Sequence, residues 1–393
     1  MSGKRRELHL NAFLMEAGHH EAAWRLPESN PRADLDIQHW IRLARLAEAA
    51  KFDSIFLADG QAIWRSAEFR PAGQLEPLTL LTVLSQATSR IGLIATASST
   101  YNEPYSLARR FAALDHVSGG RAGWNIVTSA SPEEAANFGL DDRPGHALRY
   151  ARADEFLTVA KALWDSWEAE AVIADKATGR YADPSRIHRL GHRGEHFSVA
   201  GPLNAERPPQ GYPLLVQAGS SEDGKDFAAR HAEAIFTAHQ TFARAADFYA
   251  DIKARARAAG RDPDGVIVLP GIVPVIGSTE AEARWPWPSA WMTCASPSTA
   301  CTSSPASSSW RQPASTRTGR CQNRSLPARS WRARKAGPTL SSSSRCGRTS
   351  PCARSCPGWA AAAATSPSPG RRSRSPTRSW RGSRAARRTA STS

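Results

Sequence analysis

A carboxylate, two hydroxyls and a His/Tyr pair stand at positions where an alternating strand-helix chain would gather its chemistry. Asp59 closes the run Ser54-Ile-Phe-Leu-Ala-Asp, which puts its carboxylate where a predicted strand meets its loop. There it can serve as a turn or helix-cap residue, or as an acid facing a ligand. Thr96 and Ser98 end the next predicted strand, and Asn125 lies within Trp124-Asn-Ile-Val-Thr-Ser. Polar side chains late in buried strands need partners, either an internal network or a polar ligand.

His146 and Tyr150 are four residues apart at the head of a long helical pattern, so they share one helix face. Each alone is an ordinary surface residue; together they could grip a phosphate or a polar ring edge. Gln217-Ala-Gly-Ser-Ser-Glu-Asp-Gly runs from a strand into a helix. Gly219 permits close backbone approach, and the free amides of the helix start beside Ser220 and Ser221 offer an anion site. A plain serine cap is the other reading of this stretch. His19-His20 with Trp24 could line a pocket or sit solvated in a loop. No HExxH or CxxC spacing occurs, so no metal centre is expected. No catalytic acid or base can be assigned from residue types alone.

These residues fall between short apolar runs and longer helical patterns. Predicted strands are Leu8–Leu14, Ser54–Ala58, Ile91–Ala97, Arg121–Thr128, Pro213–Ala218, Ala234–Thr237 and Val266–Val275. Helical segments are predicted at Ile37–Ala50, Leu78–Ser85, Tyr105–His116, Ala147–Trp167, Gly224–His231 and Ala243–Ala259. Strand-helix alternation argues for a parallel sheet with helices outside. Seven such strands point to a (β/α)8 TIM barrel rather than an open sheet, with the site at the C-terminal strand ends. Residues 168–210 break the rhythm and read as a long insertion before the fifth strand, of a length that is usually functional. No run of 18 apolar residues is present and the basic N-terminus leads into no apolar signal core, so no membrane span is expected and a cytoplasmic location is.

Composition breaks at Arg284/Trp285. The 109 residues that follow contain no Asp, Glu, Val, Ile, Phe, Tyr or His, yet hold all six cysteines and seven of the thirteen tryptophans. They also hold 19 of the 51 Lys+Arg, so residues 1–284 carry a net charge of −4 and the tail alone accounts for the overall +15. Such a tail cannot bury enough apolar surface to fold and is expected to be disordered. Its main amino acids, Arg, Ser, Pro, Ala, Thr, Gly, Cys and Trp, all have G or C at the second codon position. Only Met292, Gln312, Gln322, Asn323, Leu326, Lys335 and Leu340 depart from that rule. A one-base slip in a GC-rich gene, moving the wobble base to second place, generates this composition. Shifted back-translation, with one free base per codon, lets Ala362–Gly370 spell GGHFTVAG and Arg387–Ser393 plus a TGA stop spell ADGFNVM. Residues 1–284 are therefore taken as the barrel domain and 285–393 as out-of-frame translation.

Several long stretches carry a resemblance: Asn11-Ala-Phe-Leu-Met, Gly18-His-His-Glu-Ala-Ala-Trp-Arg, the span from Tyr105 through Trp124-Asn-Ile-Val-Thr-Ser, Arg149-Tyr-Ala-Arg-Ala-Asp-Glu-Phe, and Gly194-Glu-His-Phe-Ser-Val-Ala-Gly-Pro-Leu-Asn in the insertion. In that order they resemble the bacterial-luciferase-like flavin monooxygenases. The branch is that of nitrilotriacetate monooxygenase component A, dibenzothiophene-sulfone monooxygenase and pristinamycin synthase. The resemblance covers essentially residues 7–284, and the back-translated strings look like later segments of the same family.

The resemblance implies a TIM barrel that binds reduced FMN supplied by a separate NADH:FMN reductase and uses O2 to oxygenate a small organic substrate. By position it implies flavin contact by Asp59, Thr96, His146, Tyr150 and Ser220 or Ser221, with the phosphate at the Ser220–Ser221 helix start. Members are usually homo-oligomeric. With the eighth strand and last helix lost to the slip, this chain is expected to be inactive as written. Competing readings are an F420-dependent oxidoreductase of the same fold, which the family-specific insertion disfavours, and a non-functional gene remnant. A basic tail that binds nucleic acid is a third, although the codon pattern explains the arginines without selection.

Overall fold

The computed structural model describes residues 7–283 except 21, 64–66 and 68–70, so the tail lies outside the described residues. In chain order the first half runs β1 (Asn11–Leu14), α1 (Ile37–Ala49), β2 (Ser54–Leu57), α2 (Pro77–Ala87), β3 (Gly92–Ser98), α3 (Pro104–Ser118), β4 (Ala122–Val127), α4 (Pro132–Asn137) and α5 (His146–Trp164). Four short strands follow: β5 (Val172–Asp175), β6 (Arg180–Ala182), β7 (His192–Arg193) and β8 (Ser198–Val199). The barrel then resumes with β9 (Leu214–Gln217), α6 (Glu222–His231), β10 (Ala234–Thr237), α7 (Phe242–Ala258), β11 (Ile267–Pro270) and α8 (Glu280–Ala283).

Seven strands form one parallel sheet in the order β1-β2-β3-β4-β9-β10-β11. Strands of such a sheet are buried on both faces, which explains their near-continuous apolar runs. The period of two sorts the side chains: Leu93, Ala95, Trp124, Ile126 and Leu215 pack outward under the helices. Phe56, Ile94, Val216 and Ala234 point inward, joined by Phe13, Leu214, Ile267 and Leu269. The Phe13 ring lies 4.9 Å from Phe56 and 5.5 Å from Phe236, so β1 and β10 meet across the interior and the sheet curls into a barrel. It is one strand short of closure. Among the described residues, nothing pairs with the outer edge of β1 or of β11.

Local chemistry fixes the helix starts. Asp36 caps α1 through the amides of Gln38 and His39, Glu76 caps α2 ahead of Pro77, and Ser131 and Glu134 form a capping box on α4. On the opposite end of the barrel, Glu48 accepts the amides of Ser89, Arg90 and Ile91 at 2.9, 2.6 and 3.1 Å where the chain turns into β3. Arg121 donates nearby to the carbonyls of Ser85, Ile91 and Ser118, each at 2.8 Å, riveting α2 and α3 to the strands between them.

The structure refines three expectations. Residues 168–210 are not a plain loop: they contain two antiparallel hairpins, β5–β6 and β7–β8. Their sequences lack clear alternation, and pairs this short leave little periodic signal. The second hairpin is latched to α5, where Glu155 accepts from His192 Nε2 and the amide of His196, both at 2.8 Å, and from the amide of Phe197 at 2.9 Å. The last strand stops at Pro270 instead of Val275, because Pro270 and Pro274 have no N–H to continue a ladder. Helix α4 had no predicted counterpart; at six residues it is too short for a periodic pattern.

Candidate functional site

Every candidate residue emerges on the C-terminal side of the strands. Thr96 and Asn125 share the inward-facing parity of Ile94 and Gly123, and both are buried. The Asn125 amide donates to Thr96 Oγ1 at 2.9 Å, while its Oδ1 is buried with no partner. Ser98, one inward position further up, accepts from Ser129 Oγ at 3.0 Å. Ser129 itself adopts φ 48°, an uncommon backbone state for a residue with a side chain.

Around the exits of β2 and β4 lies an acidic, half-dry cluster. Half-buried Asp59 accepts from Gln74 Nε2 at 2.7 Å. Burial pushes its carboxyl above the usual range, and the negative charges of Glu76 and Glu134 push the same way. Fully buried Glu134 takes the Gln61 amide at 3.1 Å and lies 3.4 Å from Ser129 Oγ. Two further polar atoms nearby, Gln61 Oε1 and Tyr101 Oη, are buried without partners. Tyr101 stacks on Phe138 at 4.5 Å, and burial followed by the Glu134 charge raises its hydroxyl. Unsatisfied buried groups are rare in folded proteins, and three of them at one strand end mark a place for a polar ligand.

A second cluster forms where the heads of α5 and α6 meet. His146 Nδ1 lies 2.5 Å from Asp223 Oδ2, and the His146 and Tyr150 rings pack at 5.0 Å. Tyr150 Oη sits against the first turn of α6: a Cβ added at Gly224 would lie 2.8 Å from it, and one added at Gly219 3.0 Å. A Cβ at Gly219 would also come within 2.4 Å of Gln217 Nε2. The backbone here is bare because side chains would collide. Ser221 caps α6 by accepting the Gly224 amide at 3.2 Å, and Ser220 is exposed beside it. His146, Tyr150, Ser220 and Ser221, far apart in sequence, are thus brought to one helix start, which suits an anion.

Buried Arg149 ties the α5 head to the strand ends. It donates to the Pro144 carbonyl and Thr128 Oγ1, each at 3.1 Å, and to the carbonyl of Ser129. Burial, then the neighbouring Arg143 charge, lowers its guanidinium from the ordinary arginine value. Sequence reasoning passed over Glu134, Arg149, Tyr101 and Asp223. Only Glu134 carried a local signal, the Ser131-Pro-Glu-Glu capping box. His19 and His20 are spent locally: His19 Nε2 is 2.9 Å from the Phe13 carbonyl and His20 Nδ1 accepts the Ala22 amide at 3.1 Å. Among the described residues, no group of three or more His, Cys, Asp or Glu could hold a metal ion.

The barrel, its insertion and the polar strand ends match one family description, Luciferase-like monooxygenase, over residues 15–333. The chain belongs to the luciferase-like monooxygenase family. Among its relatives, N-acetyl-S-(2-succino)cysteine monooxygenase of Bacillus subtilis (strain 168) is 48% identical over 284 residues, covering 72% of this chain and 64% of that protein. Nitrilotriacetate monooxygenase component A of Aminobacter aminovorans is 47% identical over 294 residues, covering 72% and 65%. This chain therefore matches just under two thirds of the length of these luciferase-like relatives.

Solved structures of the family superpose on the same barrel. The long-chain alkane monooxygenase LadA gives a TM-score of 0.67 at 38% identity, covering 71% of this chain and 67% of that one. Riboflavin lyase RcaE, solved with modified FMN and riboflavin, gives 0.66 at 35% identity, covering 70% and 64%. Among the described residues of this family member, no helix is long and apolar enough to cross a membrane.

Proposed function

We propose that residues 7–284 form the oxygenase of a two-component flavin system. Reduced FMN comes from a separate NADH:FMN reductase, and with O2 one oxygen atom enters a small organic substrate. The bare α6 start carries this reading: Gly219 and Gly224 lie against Tyr150 Oη, with Ser221 and His146 at the rim. Those residues fit FMN. The α6 amides, Ser220 and Ser221 would hold the phosphate, and His146 and Tyr150 its neighbouring atoms or the ring edge. Asp59 and Thr96 would face the polar part of the ring system, with the partnerless Asn125 Oδ1 and Tyr101 Oη able to bond a ligand. Bound flavin supplies the oxygen-activating chemistry. The chain's own contribution is orientation and exclusion of water above an apolar floor of Phe13, Phe56 and Phe236. The designation "component A" of the nitrilotriacetate relative and the FMN in the riboflavin lyase structure support the assignment. The cytoplasm, where NADH is made and spent, is the proposed location.

The proposal takes residues 285–393 as out-of-frame translation and the chain as written as inactive. Supporting this, the two relatives align over 72% of the chain, and β1 and β11 are left as open edges. The family match continues to residue 333, but residues 285–333 contain no Val or Ile with which to build another barrel strand. Two experiments test the account. Resequencing the gene across codons 275–295 should remove a one-base slip. A protein expressed with the frame restored, supplied with reductase, NADH, FMN and 18O2, should place one labelled oxygen in a product. N-acetyl-S-(2-succino)cysteine and nitrilotriacetate are the first substrates to try. Equal turnover by the chain as written would overturn the frameshift reading.

A further inference from the structure

Helices α5 and α6 are joined by two histidine–carboxylate pairs of opposite polarity. His146 of α5 meets Asp223 of α6 at 2.5 Å, and eight residues further along each helix Asp154 of α5 meets His231 of α6 at 2.6 Å. The pairs differ in the ring atom used: His146 offers Nδ1, whereas His231 offers Nε2. A neutral imidazole has one N–H, and the partner of one nitrogen decides which it is. The Asp154–His231 pair is backed by Arg230, whose guanidinium reaches Asp154 Oδ1 and Oδ2 at 2.7 Å each, so its carboxylate is already engaged. Asp223 has no second cation among the described residues; His146 is its one charged partner.

We infer that Asp223 is a positioning residue that holds His146 as the Nδ1–H tautomer. Nε2, which bonds nothing among the described residues, is then left as a lone-pair acceptor for the ligand. The inference rests on the flavin reading of this site and sharpens it. A lone pair at Nε2 repels phosphate oxygen and accepts from a donor, so the partner of His146 is a ribityl hydroxyl or a ring N–H. The phosphate is left to Ser220, Ser221 and the α6 amides. It also accounts for a carboxylate in the first turn of a helix start that is to receive an anion: Asp223 is committed to the imidazole.

The test reads the tautomer directly and needs no flavin. Nitrogen NMR of 15N-histidine-labelled full chain, at about pH 8.5 where an ordinary imidazole is neutral, resolves protonated from unprotonated ring nitrogens. His146→Gln and His231→Gln assign the two signals. The expected result is Nδ1–H at His146 and Nε2–H at His231. Asp223→Asn should move His146 to a mixture or to Nε2–H without changing His231, and Asp223→Glu should restore the wild-type signature. An Nε2–H signal from wild-type His146, or an Asp223→Asn spectrum identical to wild type, overturns the inference. If Asp223→Asn also alters His231, the helix pair has been disturbed, and the wild-type signature alone decides.

A second arm uses the frame-restored protein. Asp223→Asn should weaken FMN and riboflavin by the same factor, about three- to tenfold, the worth of one hydrogen bond. Ser221→Ala should weaken FMN alone. A loss confined to FMN in Asp223→Asn would put the phosphate on His146 and contradict the assignment. Absence of any flavin binding, with the tautomer as expected, would sink the cofactor reading and leave the inference about Asp223 standing.

Discussion

Glu134 accepts the backbone N–H of Gln61 at 3.1 Å, which fastens the segment carrying Asp59 to the helix that follows β4. The contact spans 73 residues of sequence and is part-buried. It makes the polar end of the barrel one unit: Asp59 from β2, Ser129 from β4 and Tyr101 from β3 are all held around the same carboxylate.

Glu134→Ala should therefore cost both stability and site order. Removing the acceptor strands the Gln61 amide and breaks the capping box, a loss of about 1–3 kcal/mol. Urea unfolding of wild type, Glu134→Ala and Glu134→Gln measures it. Gln retains an acceptor oxygen and should recover part of the loss; equal stability of all three would show that the tie contributes nothing.

The glycines at the α6 start should resist substitution for a specific steric reason. Gly224→Ala brings a methyl to 2.8 Å from Tyr150 Oη and should weaken FMN binding to the frame-restored protein by about tenfold or more. Tyr150→Phe removes the colliding oxygen, so adding it to Gly224→Ala should recover affinity beyond the sum of the single changes. Strict additivity would mean that the clash is not the cause.

Asp59 gives a prediction in pH. Its carboxyl is raised by burial and by the charges of Glu76 and Glu134, so ionising it in the folded state works against folding. The penalty is fully present above the folded value and vanishes as pH falls below the ordinary carboxylate value, about 3.9. Asp59→Asn should be more stable than wild type at pH 7 and lose that advantage toward pH 4. Thermal melts across this range would refute the assignment if Asp59→Asn were destabilised at neutral pH.

Glu48 should behave in the opposite sense. Burial works against its charged form, but the amides of Ser89, Arg90 and Ile91, with the Arg121 charge, outweigh burial and hold the carboxyl low. Its stabilising contribution is present above the ordinary carboxylate value and is lost as pH falls through the lowered one. Glu48→Gln should lower the melting temperature at pH 7, with the gap narrowing in acid. A gap that widens in acid would contradict it.

The fold was legible where a strand is long, buried and bounded by polar residues. Ala234–Thr237 was predicted with its observed limits, and β2 and β3 within one residue at each end. The hairpins of the insertion were not, because two-residue strands such as His192–Arg193 carry no periodic signal. The candidate site was legible in part. Helical spacing linked His146 to Tyr150, and Gly219-Ser-Ser pointed to a helix start, but the meeting of the two is a tertiary fact. Asp223 looked like a first-turn acid, and nothing in the sequence indicated that it would be spent on His146. Arg149 was hidden for a similar reason: its partners are backbone carbonyls of a loop, which no residue pattern announces.

The central claim is that the α6 start of this barrel holds the phosphate of FMN. Fluorescence titration of the frame-restored protein with FMN and with riboflavin, which lacks only the phosphate, tests it most directly. FMN should bind at least tenfold more tightly, and Ser221→Ala should erase much of that preference. Equal affinity for the two flavins, unchanged in Ser221→Ala, would contradict the account.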